Sequence, residues 1–153
     1  MIEKLKTVID RLQAHIDSIP QEFLKYPEGE LNRKFAPEKW SKKEILGHLI
    51  DSAVNNHMRF IKAQYLPSPV LIDSYAQNDW VKIQNYNEIE TSELIKLWKV
   101  FNVHIINIMN NTPEENLNIE LKAEDPFENT DTLFLLMKDY VDHMDHHLNK
   151  IFN

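Results

Sequence analysis

Apolar residues recur three and four positions apart along four stretches of the chain, and the intervals between them are rich in Pro, Asn, Asp and Ser. The first stretch predicts a helix from Ile2 to Ile19, with Leu5, Val8, Ile9, Leu12, Ile16 and Ile19 on one face and Pro20 closing it. The second predicts a helix that begins at Ser41, where Ser41 and Glu44 match the S-x-x-E capping box, and runs to about Tyr65, before Pro67 and Pro69. Its stripe passes through Ile45, Leu49, Ala53, Phe60 and Ala63. The third spans Thr91 to Asn110 and turns Leu94, Leu97, Trp98, Phe101, Ile105 and Ile108 inward, with Pro113 beyond its end. The fourth starts near Thr130 or Asp131 and continues almost to Asn153, its stripe running through Leu133, Leu136, Tyr140, Met144 and Ile151. A connector from Leu66 to Glu90 is expected to hold a short helix around Ser74 to Gln84, and Leu117 to Leu121 reads as loop rather than strand. Four helices of about five turns can bury their stripes only against one another. The expected fold class is therefore all-α, a four-helix bundle with a long connector between helices 2 and 3, in a single domain over residues 1–153.

Composition narrows the chemistry. The 153 residues suit one domain with a substantial core, and 42% hydrophobic with 27% charged residues is too apolar for disorder. With 24 acidic against 17 basic side chains the net charge is -7, the wrong sign for gripping a phosphate backbone, so no nucleic-acid partner is expected. Lys42 with Lys43 and Arg33 with Lys34 are short basic runs that read as solvated helix ends. Cysteine is absent, which excludes disulfides, thiolate ligands and a cysteine nucleophile; any thiol chemistry would need an external thiol. Only Gly29 and Gly47 are glycines, so there is no glycine-rich phosphate loop. No stretch approaches the roughly 20 apolar residues needed to span a bilayer, and MIEKLKTVIDRLQAHID lacks the apolar block of a signal. The expectation is no membrane association and a cytoplasmic location.

The candidate chemistry lies in the histidines. His143 and His147 stand one turn apart on the fourth helix, on the edge of its apolar stripe, while His48 sits at the edge of the stripe of the second. Three neutral imidazoles would fill three corners of a coordination sphere and leave a position for water or substrate, the arrangement of a reactive ion. Ser52, Asn55 and Arg59 continue the polar edge begun by His48 and are candidates to bind a polar part of a substrate. His146 falls toward solvent, and His15, His57 and His104 read as surface or packing residues with no partner evident in sequence. Asp51, Asp142 and Asp145 flank the histidines and could fix an imidazole tautomer. Gly47, inside a helix at a cost of about 1 kcal/mol relative to alanine, is either a tolerated blemish or a site of close approach beside His48. Trp40, Trp80 and Trp98 read as core anchors, with Trp80 able to wall a pocket. Spacing alone leaves two readings open, a metal site or imidazoles that are simply solvated or satisfied in the core; no residue is assigned as catalytic.

Three segments in order, WSKKEILGHLID with Arg59 downstream, YAQNDWVKIQNY, and HMDHHLNKI, resemble the DinB superfamily and its YfiT-like metal-dependent members. The resemblance implies a four-helix bundle with a divalent ion, nickel or zinc, held by His48, His143 and His147. It further implies a metal-dependent enzyme that activates water or a low-molecular-weight thiol cosubstrate toward a small-molecule substrate, as a hydrolase or thiol S-transferase, in a chain able to form a homodimer. The alternative from another class is a non-catalytic, stress-related interaction bundle whose ion is structural or absent.

Overall fold

Two long connectors set the topology of this protein, and the first, residues 64–90, runs back along the bundle from Gln64 beside Thr112 to Asn87 beside Ser41 and Lys43. The computed structural model describes residues 1–124 and 130–153. In chain order the elements are α1 (Ile2–Phe23), α2 (Glu28–Leu31), α3 (Lys42–Ala63), β1 (Val70–Ile72), α4 (Gln77–Gln84), α5 (Thr91–Asn110), β2 (Leu121–Ala123) and α6 (Leu133–Phe152). Helices α1, α3, α5 and α6 form the bundle: α1 packs on α5 and α6, and α3 packs on the same two. Consecutive helices α1 and α3 therefore sit diagonally across the core, as do α5 and α6. Their apolar stripes meet in one core built on Leu12, Phe23, Leu49, Phe60, Trp98, Ile105 and Met144, each at most 1% exposed. Among the described residues no helix is long and apolar enough to cross a membrane.

Most predicted boundaries are met, and the exceptions have local causes. Pro20 does not close α1, which continues to Phe23. A proline forfeits one backbone hydrogen bond, and the extra turn carries Phe23, fully buried with its ring edge-on to Phe152 at 5.4 Å. Leu97 points outward, 43% exposed, because the inner face of α5 is centred on Leu94, Trp98 and Ile105. Helix α6 begins at Leu133, with Thr132 as its cap, a turn's fraction later than expected. The short α2 and the two strands are additional. β1 and β2 pair in parallel, Val70 opposite Leu121 and Ile72 opposite Ala123, and so join the two connectors to each other. Three residues are too few for an alternating pattern to register in sequence.

The start of α3, which carries His48, is held on all sides. Ser41 accepts the Glu44 amide at 3.0 Å while the Glu44 carboxylate accepts the Ser41 amide at 2.8 Å, and the Ser41 hydroxyl also donates to Asn87 at 2.7 Å. Lys43, 2% exposed, pairs with Glu28 of α2 and donates to the Asn87 carbonyl at 3.2 Å. Losing a cap costs about 1 kcal/mol and leaving the half-buried Asn87 amide oxygen without its donor adds up to about as much again. Ser41→Ala should therefore lower stability by about 1–2 kcal/mol in urea denaturation, and a change within error would show that the buried hydroxyl contributes nothing.

Candidate metal centre

α3 and α6 run antiparallel, so the first third of α3 lies beside the last half of α6, and residues 95 apart in sequence become neighbours. His48 Nε2 and His143 Nε2 are 3.1 Å apart, and His143 Nε2 and His147 Nε2 are also 3.1 Å apart. The ligating atoms of all three lie within 4.8 Å of one another. One ring nitrogen offers a single lone pair or a single hydrogen, so His143 Nε2 can supply only one full-strength hydrogen bond to its two neighbours. A cation at the centre would take all three lone pairs together. Zinc-to-nitrogen bonds of about 2.0–2.1 Å at angles between right and tetrahedral place adjacent donors about 2.9–3.4 Å apart, and the observed spacing falls inside that range. The residues fit a divalent ion that accepts nitrogen ligands.

Burial keeps these rings neutral. It pushes the His48 pKa down to about 3, His143 to about 4 and His147 to about 3, and neighbouring positive charge adds to each: His143 and Lys150 for His48; His146 and Lys150 for His143; the other histidines and Lys150 for His147. Neutral imidazole is the ligating form. Their folded pKa values lie below the unfolded value near 6.5, so as pH falls the unfolded chain takes up protons the folded chain refuses. Stability of the metal-free protein is therefore expected to be full above about pH 6.5 and to drop progressively as pH falls from there toward 4, measured as Tm in chelator. A flat profile across that window would contradict buried neutral histidines.

The surroundings differ in part from the sequence reading. Trp40, which precedes the α3 cap, packs its ring over His48 with centroids 4.7 Å apart and an interplanar angle of 35°, and lies 6.3 Å from His147. Trp40 is thus the tryptophan that walls the site, whereas Trp80 stands edge-on to Tyr75 at 5.2 Å and Trp98 is a core anchor. The flanking carboxylates are engaged elsewhere: Asp51 accepts from Tyr86 at 2.5 Å and Gln84 at 2.7 Å, and Asp142 and Asp145 pair with Arg11. Among the described residues none of the three bonds His48, His143 or His147, and Nδ1 of both His48 and His147 is buried without a partner. His15 bonds Asp145, and His146 points away from the centre, its ring 5.3 Å from that of His147.

Two cavities open beside the histidines. One of about 140 Å³ reaches His143 and is lined by Ser52, Asn56 and Arg59 of α3 and by Asp139 and Tyr140 of α6. Burial and the nearby Asp142 charge raise the Asp139 pKa above the usual carboxylate range. Arg59 also donates to the Asp73 carbonyl and stands over the Tyr75 ring, 6.0 Å from its centroid. Asn55 lies on a separate hollow with Val70 and Ile72, its amide donating to the Asp51 carbonyl at 2.9 Å. Asn56, one turn beyond Ser52, occupies the wall beside His143 instead. A second cavity, about 410 Å³, borders His147 and is lined by Trp40, Ile45, Asn78 and Lys150.

Fold and site together define a four-helix bundle with a three-histidine centre between α3 and α6. The chain superposes on YfiT from Bacillus subtilis, described as a probable metal-dependent hydrolase with an unusual four-helix bundle topology, with a TM-score of 0.86 and 19% identity over 99% of this chain and 85% of that one. A protein of Halalkalibacterium halodurans named as a putative metal-dependent hydrolase is 27% identical over 85 residues, 56% of this chain and 45% of that protein. The match thus spans about half of that relative's length. No family model matches the chain. The protein shares the four-helix-bundle fold of YfiT, the fold that the resemblance carried by its motifs implies.

Proposed function

We propose that this protein is a metal-dependent enzyme of hydrolase or thiol S-transferase type, with His48, His143 and His147 holding a divalent ion. The observation that carries this reading is the convergence of three ring nitrogens, His143 Nε2 at 3.1 Å from both His48 Nε2 and His147 Nε2 and all three within 4.8 Å of one another, beside a polar cavity. The similarity to proteins named as metal-dependent hydrolases supports it. A divalent ion in such a setting lowers the pKa of water or of a thiol and so supplies a nucleophile at neutral pH. The chain's own residues then bind and orient: Arg59, with Ser52 and Asn56, would hold a polar or anionic part of a small substrate at the cavity wall, and Trp40 would shield His48 from solvent. Nickel and zinc both accept three nitrogen ligands. The absence of cysteine agrees with a thiol arriving as cosubstrate, in a cytoplasmic chain able to pair as a homodimer.

Elemental analysis of protein purified without an affinity tag tests this reading first. It should find about one nickel or zinc per chain, and a metal-free protein that takes up neither would sink the proposal. Pairing several small thiols with a reporter electrophile then separates the two reaction types, since a rate independent of thiol indicates hydrolysis.

A further inference from the structure

A second pair of histidines meets on the outside of the bundle. His57 of α3 and His104 of α5 face each other with ring centroids 5.2 Å apart and planes 40° apart. Within the buried triad the corresponding separations are 5.0, 4.6 and 4.5 Å. Two imidazoles bound to one ion through bonds of about 2.0–2.1 Å, at angles between right and tetrahedral, hold their ring centres about 5 Å apart. The outer pair already has that spacing. Among the described residues neither ring takes part in a hydrogen bond or an ion pair, so neither lone pair is committed. Burial and the neighbouring His104 hold the His57 pKa below its ordinary value, which favours the neutral ring.

The setting favours a soft or borderline ion. His57 is half-buried, edge-on to Phe101 at 6.5 Å, and His104 is exposed; Met58, Ile61, Leu97 and Val100 on the same two helices are 40–60% exposed. We propose that His57 and His104 form a second, surface clamp for a divalent transition-metal ion, cupric ion above nickel or zinc, joining α3 to α5. Calcium and magnesium demand oxygen ligands that this pair does not offer, and imidazole affinity rises to copper along the divalent series. His48 and His57 are nine residues apart on one helix, a rise of about 13 Å, so both sites can be filled together. The clamp depends only on its own two rings and stands whether or not the triad is catalytic.

The test uses the full chain carrying both His143→Ala and His147→Ala, which leaves the inner site a single imidazole. Cupric ion titrated into this variant by calorimetry should still bind at about one ion per chain. Adding His104→Gln, an exposed change that leaves the core untouched, should weaken that binding at least tenfold. In the nitrogen-15 spectrum of the protein carrying His143→Ala and His147→Ala, paramagnetic broadening by a substoichiometric cupric ion should centre on residues 57 and 104. Unchanged affinity once His104→Gln is added, or broadening centred on His15, His48 or His146, would overturn the clamp. Loss of the triad metal in the elemental analysis would overturn the proposed function and leave this result intact.

Discussion

Replacing His143 with alanine is expected to strip the protein of its inner-site ion and reduce any metal-dependent rate to background, while the far-ultraviolet circular dichroism stays essentially that of the unmodified chain. His143 is the middle member of the triad, its Nε2 lying 3.1 Å from both neighbours. It is also partly accessible where His48 is fully buried, so its loss removes a ligand without opening the core. Removing an outer partner of a metal ligand costs 10–100-fold in affinity, and loss of one of three ligands should exceed that. The comparison with His146→Ala is informative because His146 is adjacent in sequence and outside the donor set. Retention of nickel or zinc by a His143→Ala protein in which His104→Gln has also removed the surface clamp, or loss of the ion in the His146→Ala protein, would remove the basis for the assignment.

Gly47→Ala is the second large effect. A methyl group there would sit 2.0 Å from Tyr86 Cδ2 and 2.3 Å from its Cγ, and Tyr86 cannot swing aside freely. Its ring is 2% exposed and its hydroxyl donates to the buried Asp51 at 2.5 Å. Forcing the ring outward combines overpacking, about 1–3 kcal/mol, with a strained bond to a carboxylate, about 1.5–3 kcal/mol. The gain in helix propensity returns about 1 kcal/mol. A net loss of about 1.5–5 kcal/mol follows, a drop in Tm of roughly 3–20 °C for a chain of this size. The neighbouring His48 should shift with it, so metal affinity should weaken as well. An alanine variant as stable as the unmodified protein would mean that Tyr86 is not wedged against the helix.

The parts of this molecule legible in sequence are those governed by local rules. The Ser41–Glu44 box, the limits of α5 at Thr91 and Asn110, and the stripe positions of α6 all follow from spacing within one segment. The three histidines belong with them, because a place on the edge of an apolar stripe directs a side chain toward the neighbouring helix. Gly47 carried a usable signal too, since an interior glycine marked the approach of Tyr86. What remained hidden depends on contacts between distant segments. The parallel pairing of β1 with β2, the diagonal placement of consecutive helices, Trp40 over His48 and His57 against His104 are set by how the helices pack. Asn56 in place of Asn55 at the wall beside His143 turns on a rotation of about 100° about the helix axis, which an edge position on a wheel does not resolve.

The location of the triad also bears on when the protein matures. One donor belongs to an early helix and the other two to the last one, and those helices must lie side by side before the three nitrogens converge. During synthesis, a nascent chain halted before residue 143 has one member of the proposed donor set and would lack the other two. Under the proposed assignment, loading would wait until both helices have been made and packed, and products truncated before residue 143 would lack the site.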